Sequence, residues 1–187
     1  MDAIYDMNQE DTGEAMFTNL ETQRLTLRCI DHSDRDFIFK EFQNEFINRY
    51  LFDEEPMTDI SQADQLIEFY TMSEPRMQNR WVLVDKITGE KLGTCGYHFW
   101  KPDLQEVEIG FELMEAFNGK GYMREAVETI LAFARQQMQV KTIRAVVYQG
   151  NTKCIQLLEK LQFVKVGDEN TEFHGKSYLH DVYALKI

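Results

Sequence analysis

VEIGFELMEAFNGKGYMREA, residues 107 to 126, joins three signals in one run. Alternation places Val107, Ile109 and Phe111 on one face of a strand. A turn with two glycines follows at Asn118-Gly119-Lys120-Gly121. Met123, Ala126, Val127, Ile130, Leu131, Ala134 and Met138 then recur at the spacing of one helical face, which predicts a long amphipathic helix. The short apolar run VKTIRAVVY, residues 140 to 148, comes next. A strand, helix, strand crossover is therefore expected, with parallel strands and the right-handed sense of nearly all such units.

The glycines bear on chemistry as well as on shape. A helix start leaves its first amides without partners and carries partial positive charge, so it attracts an anion if the backbone can approach closely. Gly119 and Gly121 permit that approach, and Lys120 adds a formal charge. A seat for a pyrophosphate and a plain structural turn both remain open on spacing alone. GxxxxGK[ST] is absent, and a dinucleotide GxGxxG would need glycine where Arg124 stands.

Upstream, from Leu20, the alternation of Leu25, Leu27 and Cys29 in ETQRLTLRCI predicts a first strand. DHSDRDFIFKEFQN predicts a helix capped by Ser33 or Asp34, with Phe37, Ile38 and Phe42 inward. FDEEPMTD interrupts the pattern, and Ile60, Ala63, Leu66, Ile67 and Tyr70 mark a second helix. WVLVD and KLGTCGYHFW form a hairpin around Thr88-Gly89-Glu90, so that three antiparallel strands run together through residue 113. Downstream, NTKCIQLLEKLQF is a short helix capped by Asn151, and FVKVG and HDVYALKI are closing strands. The fold class is α/β: a mixed, mainly antiparallel sheet of about six to seven strands flanked by helices.

The chain of 187 residues suits one domain. Residues 1 to 18 hold five acidic residues and no Lys or Arg, and read as a loosely ordered acidic extension before a single domain at residues 19 to 187. A formal net charge of -12 argues against wrapping nucleic acid, and is permissive toward a small cation or a basic protein. No apolar stretch reaches the ~20 residues that span a bilayer, and the N-terminus lacks the order of a signal peptide, so a cytoplasmic location with no membrane partner is expected. Cys29, Cys95 and Cys154 suggest neither a disulfide framework nor a metal site.

The order of these elements resembles the GNAT acetyltransferases, and within them the RimJ/RimL-type branch, over residues 19 to 187. The glycine turn matches that family's Q/R-x-x-G-x-G/A loop, with Asn118 at the first place and Met123 at the last; both departures leave the backbone amides available. The resemblance implies acetyl-CoA as cosubstrate, its pyrophosphate on the amides of Gly119, Lys120, Gly121, Tyr122 and Met123. It implies that the pantetheine arm pairs with the backbone of Phe111, Glu112 and Leu113, in a gap between that strand and residues 142 to 148. The Phe111 amide would face the thioester oxygen, and Asn151 would contact the pantetheine or its bound water. No metal is implied.

For catalysis the resemblance points to Glu108 as a general base acting through water, with Glu106 in reserve and Glu112 a weaker candidate; an exposed alternation partner of Val107 and Ile109 is the structural alternative. Cys154 stands where such proteins often carry serine. Its thiol, ordinarily near ~8.5, could protonate the CoA thiolate, or it could be a small packed residue. The tyrosine acid of other members is replaced by Leu158, and a customary glycine by Gln162. Tyr97, His98 or Trp100 could wall the acceptor pocket, while Trp81, Phe99 and Trp100 read more simply as packing. The acceptor expected is a protein N-terminal amine of a basic, ribosomal type. A polyamine or an aminoglycoside is the alternative acceptor, and a non-catalytic acyl-CoA sensor the alternative function. A homodimer would fit the family and has no signature of its own.

Overall fold

The computed structural model describes residues 16–73 and 75–187, so the acidic stretch up to residue 15 lies outside the described residues. In chain order the elements are β1 (Leu20–Glu21), β2 (Leu25–Cys29), α1 (Arg35–Gln43), α2 (Glu45–Asn48), α3 (Ser61–Tyr70), β3 (Asn79–Asp85), β4 (Lys91–Lys101), β5 (Glu106–Leu113), α4 (Tyr122–Gln137), β6 (Thr142–Tyr148), α5 (Thr152–Lys160), β7 (Val164–Phe173) and β8 (Lys176–Lys186). They form one sheet in the order β1-β2-β3-β4-β5-β6-β8-β7. The crossover from β5 through α4 to β6 gives a parallel pair, and the other neighbours are antiparallel.

The strand count is eight rather than six to seven. The first predicted strand is folded on itself: the Thr22 hydroxyl accepts the Leu25 amide at 2.7 Å, and the Thr22 amide donates to the Leu25 carbonyl at 2.9 Å, which turns β1 back against β2. The hairpin of β3 and β4 turns where predicted. Gly89 takes φ +71°, and Asp85 Oδ1 accepts the amides of Ile87 and Thr88 at 2.9 Å each.

Each face of the sheet has its own core. One holds the predicted α4 stripe of Met123, Ala126, Val127, Ile130, Ala134 and Met138, together with Val107, Ile109, Ile143 and Leu158. Full burial of a side chain such as Ile130 contributes roughly 1.5–3 kcal/mol. Leu131 is only partly buried, and Phe133 joins the core instead, against Trp81 and Phe17. The opposite face is covered by α1 and α3 through Ile38, Ala63, Ile67 and Tyr70.

Several local expectations change. Phe17 is buried and the Trp81 indole donates to the Thr18 carbonyl at 2.8 Å, so the packed body begins before residue 19. Asp34 precedes α1 without a side-chain cap bond; Asp31 caps the short turn ahead of it. Helix α2 was not expected from periodicity and is started by Asn44, whose side chain accepts the Phe46 amide at 2.9 Å. Phe99 is 66% exposed at a bulge in β4, outside the core, and meets the His98 ring edge-on at 4.9 Å. Among the described residues no helix is long and apolar enough to cross a membrane.

Candidate active site

Beyond Glu108 the sheet splits. Pairing between β5 and β6 covers Glu106 to Glu108 against Thr142 to Arg144 and stops there, although β5 continues to Leu113 and β6 to Tyr148. A cleft of about 220 Å³ opens beside the end of β5 that β6 leaves unpaired, toward α2 and α5. Its walls include Phe111, Glu112, Leu113, Asn118, Met123, Asn151 and Cys154. Strand amides facing such a gap have no partner from the neighbouring strand, so an extended amide-bearing molecule can pair there as an additional strand would.

The glycine turn joins two lining residues, Asn118 and Met123. Gly119 and Gly121 take φ +75° and +80°, conformations that side chains resist, and α4 begins at Tyr122 with no side-chain cap. Its first amides are thus left for an anion. Lys120 is exposed, with Nζ 5.5 Å from the centre of the Phe117 ring. Asn118 does not aim a donor into the turn; its side-chain amide donates to the carbonyls of Met114 and Glu115 at 3.3 Å.

A brace from the turn between β1 and β2 was missed in the sequence. Arg24 Nη1 donates to the Lys120 carbonyl at 2.9 Å, its Nε to Glu125 Oε2 at 2.7 Å, and its guanidinium lies 4.3 Å from the centre of the Tyr122 ring. Glu125 Oε1 also accepts from the Arg24 amide at 2.7 Å and from the Thr22 hydroxyl at 2.5 Å. Burial opposes charge on Glu125, but Thr22 and Arg24 outweigh it and hold the carboxyl below the usual carboxylate range. The signal was present as TQR and REA, two polar islands in apolar patterns, but only the fold joins them.

Asn151 caps α5 as predicted, its Oδ1 accepting the Cys154 amide at 3.2 Å. Cys154 lies one turn on. Burial, with the nearby Glu112 charge, pushes its thiol up to about 12. Leu158 is 0% exposed in the core, so the position that carries tyrosine in other members does not face the cleft. Leu157 lines it instead, and Phe46, Ile47, Tyr50 and Leu51, on α2 and just after it, also line it.

Glu108 sits where the strands part and does not line the cleft. Its Oε1 is 3.1 Å from His98 Nε2. Glu106 lies two residues back, 3.8 Å from Arg144. Of the candidate acceptor walls only His98 is beside Glu108; Tyr97 is buried, its hydroxyl donating to the Ile130 carbonyl at 2.7 Å, and Trp100 packs against the core. An aromatic cluster not foreseen lies beyond α2: Phe52 stacks on Tyr178 with ring centres 3.8 Å apart, and Tyr148 meets Phe52 edge-on at 4.7 Å.

Glu112 continues inward into a charged cluster between the sheet and its helices. It pairs with Arg80 of β3, whose Nε donates to the Thr94 hydroxyl of β4 at 3.0 Å and whose Nη1 donates to the Tyr70 hydroxyl of α3 at 3.1 Å. Thr94 Oγ1 lies 3.0 Å from Glu41 Oε2 and 3.2 Å from Glu112 Oε2. Burial, and then the Glu112 charge, push the Glu41 carboxyl up to about 8.

These features suit acetyl-CoA: a glycine-opened helix start for the pyrophosphate and an unpaired strand segment for the amides of the pantetheine arm. Comparison with known proteins agrees. Residues 24–164 match the model of an acetyltransferase (GNAT) domain. The chain is 32% identical to an uncharacterized N-acetyltransferase of Bacillus licheniformis, over 90% of this chain and 94% of that one. It is likewise 32% identical to the uncharacterized N-acetyltransferase YoaA of Bacillus subtilis, over 91% and 97%. Among solved structures it resembles a spermidine N-acetyltransferase of Vibrio cholerae in complex with CoA and spermine, with TM-score 0.77 and 22% identity over 87% of this chain and 95% of that one. RimL, a ribosomal-protein alpha-N acetyltransferase in complex with CoA, gives TM-score 0.82 and 15% identity over 90% and 98%. The chain belongs to the GNAT family of acetyltransferases and is an N-acetyltransferase whose cosubstrate is acetyl-CoA.

Proposed function

We propose that this enzyme, of the RimJ/RimL type, acetylates the N-terminal amine of a basic protein, with Glu108 as the general base. The observation that carries the reading is the place of Glu108. It stands where β5 and β6 part, 3.1 Å from His98, three residues before the segment Phe111 to Leu113 that β6 leaves unpaired. A thioester seated along that segment would present its carbonyl to the Phe111 amide, where negative charge develops during attack. The amine would approach from the Glu108 side and lose its proton through an intervening water. Asn118 to Met123 would hold the pyrophosphate, and Asn151 the pantetheine.

The formal charge of -12 favours a basic acceptor. A polyamine is the second reading, supported by the clustered rings of Phe52, Tyr148 and Tyr178, whose faces suit a cation. A panel of basic peptides with free and blocked N-termini, spermidine and an aminoglycoside, followed by CoA release and mass spectrometry, separates the readings. Free-N-terminus peptides should be acetylated and blocked ones spared. Glu108→Gln should lower kcat by about a hundredfold or more. Turnover confined to spermidine would replace the first reading with the second, and undiminished turnover in Glu108→Gln would remove the base from Glu108.

A further inference from the structure

We propose that the proton needed by the departing CoA thiolate comes from Glu41, passed through the Thr94 hydroxyl to Glu112 at the wall of the cleft. The inference rests on the acetyl-transfer reading above and supplies the donor that Leu158 cannot be.

Hydrogen-bond bookkeeping points to the protonated form of Glu41. The side chain is fully buried, and Oε1 is without a hydrogen-bond partner. An ionised carboxylate with one bare oxygen in the interior is strongly penalised, whereas a neutral carboxyl leaves only a carbonyl oxygen bare. The surroundings agree. Arg80 of β3, Thr94 and Cys95 of β4, Glu112 of β5 and Tyr70 of α3 face this cluster, and Arg80 is its one cation among the described residues. Arg80 pairs directly with Glu112. Glu112 is therefore the ionised member and Glu41 the protonated one.

Thr94 then has a single consistent arrangement. It accepts from Arg80 Nε and from the Glu41 hydroxyl, and donates to Glu112 Oε2, which uses the full capacity of one hydroxyl. Were Glu41 ionised, one hydroxyl hydrogen would face two carboxylates. The chain Glu41, Thr94, Glu112 is a continuous path from the interior to the cleft, where Glu112 and Cys154 both form the wall. The acidities suit the direction. A proton donor works best near the acidity of the group it serves, and Glu41, pushed up to about 8, is closer to an ordinary thiol at ~8.5 than Cys154 at about 12.

In the reaction the amine nitrogen forms the C–N bond, and the C–S bond breaks with its electron pair on sulfur. Thr94 passes its proton to Glu112 and takes one from Glu41, and the Glu112 proton moves to sulfur, giving neutral CoA thiol. The amine's proton leaves through Glu108 and water. After CoA departs, Glu41 regains a proton from water by the same path in reverse.

The test uses the full chain with acetyl-CoA and, as probe acceptors, spermidine and a basic peptide with a free N-terminus. Wild-type kcat should fall as pH rises through about 8, because Glu41 loses the proton to be donated. Thr94→Val should lower kcat by about a hundredfold while KM for acetyl-CoA stays within about threefold, and Thr94→Ser should restore kcat. Glu41→Gln keeps shape and neutrality but cannot release a proton; it should be slow and lack the alkaline limb. Independently of turnover, infrared spectroscopy of the protein alone should show a protonated-carboxyl band that titrates near pH 8 and is missing from Glu41→Gln. Full kcat in Thr94→Val, or no such band at neutral pH, overturns the proposal alone. A wild-type enzyme that releases no CoA with either amine overturns it together with the reading on which it rests.

Discussion

Truncating Arg24 to alanine separates the glycine turn from the β1–β2 turn that braces it. Three contacts are lost. The ion pair to Glu125 is part-exposed, at 40% and 19% side-chain exposure, so solvent screening limits it to about 0.5–1 kcal/mol. The hydrogen bond to the Lys120 carbonyl contributes about 1 kcal/mol, and the stacking over Tyr122 about 0.5–1 kcal/mol. One guanidinium makes all three, so they do not simply add, and about 2 kcal/mol is the working figure. For a chain of this size that lowers Tm by about 4–8 °C. The part of it that orders the turn reappears as weaker cosubstrate binding, about tenfold in Kd for each 1.4 kcal/mol. Calorimetric titration with acetyl-CoA and steady-state kinetics should show Kd and KM up by about tenfold with kcat near wild type, because Arg24 touches no reacting atom. Arg24→Lys should fall between, since an ammonium cannot reach Glu125 and Lys120 with one planar fork. A lowered Tm with unchanged acetyl-CoA affinity would refute the reasoning and leave the brace purely structural. A drop confined to kcat would refute it as well.

The same brace gives a pH dependence. Glu125 is held below its ordinary range, so its contribution is complete above the unfolded value near 4.5 and is lost as pH falls through the lower folded value; denaturant curves of wild type and Glu125→Gln should converge in acid. Cys154→Ala should retain kcat within about threefold, because a thiol at about 12 is a poor donor to a thiolate near ~8.5; a hundredfold loss would restore Cys154 as the acid. Gly93→Ala would set a Cβ 2.2 Å from the Glu112 carbonyl oxygen and 2.9 Å from Leu113 Cα, which forces the cleft strand to move; a stability loss of about 1–3 kcal/mol with weakened acetyl-CoA binding is expected in denaturation and titration.

What could be read in the sequence was whatever repeats or punctuates. Helix α4 was visible because six buried positions keep one period, and β5 because Val107 and Ile109 alternate with Glu106 and Glu108. Asn151 was legible because capping is a local bond. The glycine turn was legible in outline, since Gly119 and Gly121 do take left-handed conformations. Gln162 is the counterexample: it holds φ +68° without being glycine, kept there as the Phe163 amide bonds the Leu158 carbonyl at 3.0 Å, and only the glycine customary at that place in the family resemblance marks it. Helix α2 has too few residues to show a period, yet it helps roof the cleft. The Arg80, Thr94, Glu112 and Glu41 cluster draws one residue from each of four elements, and its parity on each strand looks like ordinary alternation. Such pairings appear only when the register of β3, β4 and β5 is known.

The parting of β5 from β6 also has a meaning for the unliganded protein. A sheet that opens in its middle carries two internal edges, and exposed strand edges invite pairing with other chains. Acetyl-CoA seated between them, as proposed above, would act as a removable strand that closes the sheet, and by mass action its concentration would set how much protein is so protected. The same cosubstrate would then guard the fold as well as feed the reaction.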